Sequence, residues 1–132
     1  MKKVLNIISN IFVYILIILL IIIIISKIQG IEYKVVLTPS MEPELPVGSL
    51  LVIKPTEYED IKIGDDVTYI RSNSNVVVTH RVIQKEDGYI TSQGIANEIA
   101  DNPIAYENVI GVVKFNIPKI GYITIKFREF MQ

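Results

Sequence analysis

The sequence predicts a mainly β domain preceded by one N-terminal membrane helix, and three observations carry that expectation. From Ile11 to Ile25 every residue is apolar or aromatic. From Ile31 onward the chain breaks into short runs rich in Val, Ile, Tyr and Thr, punctuated by glycine and proline. Beyond the first segment no stretch repeats its apolar residues at helical spacing, so the alternating helices that a parallel sheet requires are missing.

With 132 residues the chain has room for one modest domain and an anchor. The apolar excess, half of all residues, is concentrated in the first segment. A net charge of −1 offers no electrostatic case for nucleic acid. The absence of cysteine excludes disulfides and thiolate metal sites without deciding the compartment. With a single histidine no zinc site is expected. Asp65 and Asp66 follow Gly64 in a turn-like setting that lacks the spaced oxygen ligands of a calcium loop. No glycine-rich phosphate loop is present. Neither a metal nor a cofactor is expected.

Residues 1–30 read as a membrane anchor. The apolar stretch extends back to Val4 with only Asn6, Ser9 and Asn10 as polar breaks, giving a span of about residues 4–26. A helix over Val4–Ile25 rises roughly 33 Å, enough to cross a hydrocarbon core. A cleaved signal peptide fits less well, because the apolar region is long and no small-x-small site follows Ser26. A buried core helix fits least, since the run leaves no polar face. Lys2, Lys3 and the amino terminus favour a cytoplasmic N-terminus, an asymmetry diluted by Lys27 and Lys34.

Residues 31–132 read as the β domain. Tyr33–Thr38, Ser49–Lys54, Asp66–Arg71, Asn75–Lys85, Gly88–Thr91 and Asn108–Asn116 are the expected strands, with Gly121–Phe127 read as one more. Lys126, Arg128 and Glu129 close that last stretch, so a second membrane span is not expected there. It is read as a strand packed on the domain or as an aromatic, cationic edge resting on lipid.

Two residues suggest chemistry. Ser40 lies in Thr38-Pro39-Ser40-Met41-Glu42-Pro43, where two prolines stiffen the backbone on either side and set the approach geometry of a hydroxyl. His80 is the natural base for such a nucleophile. Alternation along its strand puts Val76, Val78, His80 and Val82 on one face and Val77, Thr79, Arg81 and Ile83 on the other. That setting fits a hydrogen-bonded structural histidine, and it equally fits a general base, since partial burial favours a neutral imidazole.

Ser40-Met41-x-Pro43 resembles the nucleophile box of type I signal peptidases. Gly64-Asp65-Asp66-Val67 is similar to a second box of that family, and Thr79-His80-Arg81-Val82 to its base-bearing strand. That strand carries lysine in the usual bacterial enzymes. It carries histidine in the branch shared by archaea, the endoplasmic reticulum and some Gram-positive bacteria. The resemblance runs from about Tyr33 to about Gly111. In the histidine branch a Gly-Asp-x-Asn box is followed by a second aspartate, and Gly94, Asn97 and Asp101 fall on this pattern. Ile95 stands where the first aspartate belongs.

The resemblance implies a signal-peptidase-like β domain and a membrane-bound serine endopeptidase that removes signal peptides after small residues. Ser40 would be the nucleophile, His80 the base and Asp101 the group that orients it. The oxyanion donors would be the Ser40 backbone N–H and the Thr38 hydroxyl, although Thr38 equally fits a simple strand end. The implied partners are signal peptides of exported preproteins and the lipid bilayer, with association with the secretion machinery left open. The implied location is the cell membrane, single-pass, with the catalytic domain on the extracytoplasmic side. Ile95 allows three readings: Asp101 suffices alone, Glu98 partly substitutes, or the chain is a weakened paralogue that binds preproteins or scaffolds the envelope.

Overall fold

The computed structural model describes residues 1–131, and Gln132, the last residue of the expected β domain, lies outside them. Two compact units are present, Met1–Ile31 and Glu32–Gln132. The first is a single helix, α1 (Lys2–Ile28), long and apolar enough to cross a membrane. Its side chains are exposed throughout, except for Ser26, whose hydroxyl donates to the Ile23 carbonyl at 2.8 Å.

The second unit is one antiparallel sheet. Its strands are β1 (Glu32–Val35), β2 (Leu50–Lys54), β3 (Asp66–Arg71), β4 (Val76–Glu86), β5 (Tyr89–Gln93), β6 (Ile104–Ala105) and β7 (Val109–Ile117). In space they run β1-β2-β7-β3-β4-β5-β6. The mainly β fold after one N-terminal helix is as the sequence predicts. The two-residue β6 is too short to leave a periodic signal. Extra residues, Lys114 and Ile110 in β7 and Ile83 in β4, shift the register against β2, β3 and β5, and such insertions raise local twist.

Two apolar clusters fill the unit. One joins Ile61, Val67, Tyr69, Val82, Ile90, Ile104 and Val112. The other gathers Met41, Leu45, Leu51 and Ile53, with Ile95 packed against it. The second lies under the serine loop, so burial of Met41 and Leu45 fixes the segment that carries Ser40.

The stretch after β7 corrects the expectation of a strand. Gly121–Phe130 is a helix, α2. Its run of β-branched residues favours a strand in isolation, but a strand needs a partner edge. The β2–β7 ladder ends at Leu50 and Ile117, and Pro118 supplies no further donor. Gly121 N–H instead bonds the Gly48 carbonyl at 2.9 Å, and the remaining backbone satisfies itself as helix. Gly48, at φ +82°, takes the left-handed turn that leads into β2 and leaves room for the Tyr122 ring, which a Cβ would meet at 2.3 Å.

Burial along β4 follows the expected alternation at its centre, with His80 and Val82 inside. Val76 departs from it and is half exposed. The reason is pairing: β5 joins β4 only from Arg81 onward, so among the described residues the first half of β4 has β3 on one side and no strand on the other.

Candidate active site

Three separate segments bring Ser40, His80 and Asp101 together. Ser40 sits in a single 3₁₀ turn, Pro39–Met41, which Pro39 initiates with the fixed φ that suits a first helical position. Met41 is driven into the second cluster with 2% exposure, so the adjacent Ser40 faces outward. The Ser40 carbonyl accepts the Ala96 N–H at 2.9 Å, which ties the serine loop to the loop after β5. Gly94 makes that approach possible, because a Cβ there would stand 2.7 Å from the Ser40 carbonyl oxygen and 2.6 Å from the Asn97 side-chain nitrogen.

His80 is the fifth residue of β4, opposite Val67 of β3. It is 4% exposed, a deeper burial than the partial one expected. A buried imidazole needs partners for both nitrogens, and both are engaged. Nδ1 lies 2.5 Å from Asp101 Oδ2, and Nε2 lies 3.1 Å from Ser40 Oγ. A carboxylate can only accept, so Nδ1 carries the ring proton and Nε2 is left to accept from the serine hydroxyl. Such a line can pass the hydroxyl proton to the imidazole while the carboxylate balances the resulting cation. Thr38 Oγ1 lies 3.3 Å from Ser40 Oγ.

The remaining sequence candidates fall elsewhere. Ile95 packs against the Met41–Leu45 cluster, an apolar site. Glu98 is exposed, and with both His80 nitrogens occupied there is no place for its carboxylate on the ring.

Sequence reasoning missed three residues of the site. Ser92 Oγ donates to Asp101 Oδ2 at 3.0 Å and stands 3.3 Å from the Tyr69 hydroxyl. Burial pushes the Tyr69 phenol above its usual range. Arg71 approaches Asp101 Oδ1 at 3.7 Å. Gly94 was already marked by the resemblance, and the close approach described above gives the physical reason for a glycine there. The signal for Ser92 was available: alternation through Tyr89–Gln93 puts it on the same inward face as Ile90.

A separate clamp holds the serine loop from the other side. Arg81, adjacent to His80, bonds Asp66 through Nε at 2.9 Å and reaches Glu44 with two nitrogens at 3.1 and 2.5 Å. The Glu44 carboxyl is held below its ordinary range by these hydrogen bonds. Arg81 is held well above its own, first by Glu44 and then by Asp66.

The site opens on a cleft of about 860 Å³. One wall is β1 with the residues that follow it, another is the first half of β4, and α2 contributes Thr124, Ile125, Arg128 and Glu129. Among the described residues both strand walls offer an edge without a partner, since β1 pairs only with β2 and Val76–His80 only with β3.

The chain is 31% identical to the signal peptidase complex catalytic subunit SEC11 of Clavispora lusitaniae, over 74% of this chain and 66% of that one. It is 36% identical to signal peptidase I W of Bacillus subtilis, over 61% of this chain and 45% of that one. SEC11 of Scheffersomyces stipitis is 32% identical, over 72% of this chain and 64% of its own length. The chain belongs to the type I signal peptidase family. It spans about two thirds or less of the length of these signal peptidase relatives. No protein-family model matches the chain. Among the described residues no cluster of three or more His, Cys, Asp or Glu is arranged to hold a metal ion.

Proposed function

We propose that the chain is a membrane-anchored serine endopeptidase that removes N-terminal signal peptides from exported preproteins. The observation that carries this reading is the Ser40–His80–Asp101 line of hydrogen bonds opening on the cleft. Ser40 Oγ attacks the scissile carbonyl while its proton passes to His80 Nε2. The imidazolium then delivers that proton to the leaving amine, and water releases the acyl group by the same path in reverse. Asp101 holds the ring and balances its charge. The tetrahedral oxyanion is met by the Ser40 backbone N–H and the Thr38 hydroxyl, which stands within reach of Ser40 Oγ. Pro39 lies between these donors and offers none of its own.

The substrate chain binds extended. Main-chain hydrogen bonds to the open edges of β1 and β4 supply affinity, and shallow pockets beside Ser40 admit only small side chains. Residues 1–30 form the anchor and 31–132 the catalytic domain, with Met1 cytoplasmic and the domain extracytoplasmic in a single-pass arrangement at the cell membrane. Confining enzyme and preprotein to one bilayer raises their effective concentration. Because SEC11 is by its name a subunit of a signal peptidase complex, partner proteins of the secretion machinery belong to the same proposal. Two observations support this reading over a weakened paralogue: Ile95 packs against an apolar cluster, and both His80 nitrogens have partners.

The test is cleavage of a synthetic signal-peptide substrate by the purified full chain and by Ser40→Ala. The variant is expected to insert and fold but not to cleave. Cleavage retained by Ser40→Ala removes the serine mechanism. Labelling of the wild type and not the variant by an active-site serine reagent is the second expected result.

A further inference from the structure

The site contains a buried hydroxyl pair that the proposed mechanism does not use. Ser92 is fully buried, and its neighbours along β5 and β4, Ile90 and Val82, belong to the first apolar cluster. An alanine would suit such surroundings, because a hydroxyl there is costly unless it is hydrogen-bonded. We propose that Ser92, backed by Tyr69, is the positioning residue that fixes the rotation of Asp101 against His80. This rests on the Ser40–His80–Asp101 reading and deepens it.

Geometry carries the assignment. Asp101 lies in the loop between β5 and β6, where its side chain could otherwise swing. Ser92 grips it twice, its carbonyl accepting the Asp101 N–H at 2.8 Å and its hydroxyl donating to Oδ2 at 3.0 Å. Oδ2 is the same oxygen that meets His80 Nδ1, so the Ser92 hydroxyl sets the oxygen that orients the ring. The other oxygen faces Arg71, whose side chain is half exposed and stands at 3.7 Å. That contact supplies charge but little direction.

A serine hydroxyl has one proton. With it directed to the carboxylate, the Ser92 oxygen, 3.3 Å from Tyr69 Oη, accepts from the phenol. Tyr69 is 1% exposed and remains protonated, since burial raises its pKa. Its ring also packs edge-on against the His80 ring, with centroids 6.5 Å apart at 74°. The order is therefore Tyr69 to Ser92 to Asp101, then His80 and Ser40.

The experiment compares full-length wild type, Ser92→Ala, Tyr69→Phe and Ser40→Ala in detergent, by kinetics and by proton NMR of the imidazole. The chain has one histidine, so its Nδ1 proton gives an unambiguous signal. Ser92→Ala is expected to lower kcat by about tenfold, the scale of one lost hydrogen bond, with KM nearly unchanged. Its Nδ1–H signal is expected to move or broaden while the melting curve stays cooperative. Tyr69→Phe is expected to do the same more weakly. An unchanged Nδ1–H signal in folded Ser92→Ala overturns the proposal, whatever happens to activity. Cleavage by Ser40→Ala, by contrast, overturns the underlying mechanism and leaves the NMR result readable.

Discussion

Asp101→Asn is the sharpest perturbation of the proposed mechanism, because the structure says what each carboxylate oxygen does. Oδ2 accepts from His80 Nδ1 and Ser92, and Oδ1 faces Arg71. If the amide oxygen takes the Oδ2 place, the tautomer survives but the amino group is turned toward a guanidinium and the negative charge is gone. A carboxylate and an imidazolium with charge centres about 4 Å apart interact by about 4 kcal/mol at an effective dielectric of about 20. Losing that in the transition state costs about 10³ in rate. If the amide turns the other way, its N–H₂ faces Nδ1, the ring proton moves to Nε2, and the base is blocked. The equivalent exchange in trypsin-like serine proteases costs about 10⁴. Asp101→Asn is therefore expected to lower kcat between about 10³- and 10⁴-fold, with KM little changed. The assay is turnover of a fluorogenic signal-peptide substrate by full-length protein, with folding checked by circular dichroism. Turnover within tenfold of wild type refutes the assignment of Asp101.

Four further outcomes follow from the same geometry. Gly94→Ala pushes a methyl against the Ser40 carbonyl; kcat is expected to fall by about 10²-fold through misplacement of the nucleophile, read in the same assay. Met41→Ala empties a fully buried site under the serine loop and is expected to cost about 2–5 kcal/mol in denaturant unfolding. Ile95→Asp puts a carboxylate against the Met41–Leu45 cluster; it is expected to lower the melting temperature and to change turnover less than about tenfold. Glu44 titrates below its ordinary range because Arg81 binds its charged form. The clamp therefore stabilises fully above the ordinary carboxylate range and fades as pH falls through the lowered value. The Tm gap between wild type and Glu44→Gln should close on acidification; a gap independent of pH contradicts this.

What the sequence by itself determined is local. The apolar run of α1, the β-branched and aromatic runs of β2 and β3, the alternation of β4, and the proline-bounded turn at Ser40 follow from neighbours along the chain, and so were legible without coordinates. Ser40 and His80 could be singled out because a stiffened hydroxyl and a lone imidazole are unusual residues in those settings. Asp101 was legible only through resemblance, because an aspartate before Asn-Pro looks like any turn.

Tertiary structure decided the rest. The segment Gly121–Phe127 has the composition of a strand and becomes a helix, because the β2–β7 ladder ends at Ile117, Pro118 cannot extend it, and Gly121 is tied to the Gly48 carbonyl instead. Ile95 looked like a missing carboxylate and is an apolar side chain packed on a core cluster. Ser92 and Tyr69 are ordinary strand residues in one dimension, 23 positions apart. They meet Asp101 only because β3, β4 and β5 lie side by side in the sheet. Pairing and burial depend on residues far apart in the chain, and no local pattern records which partner each one will meet.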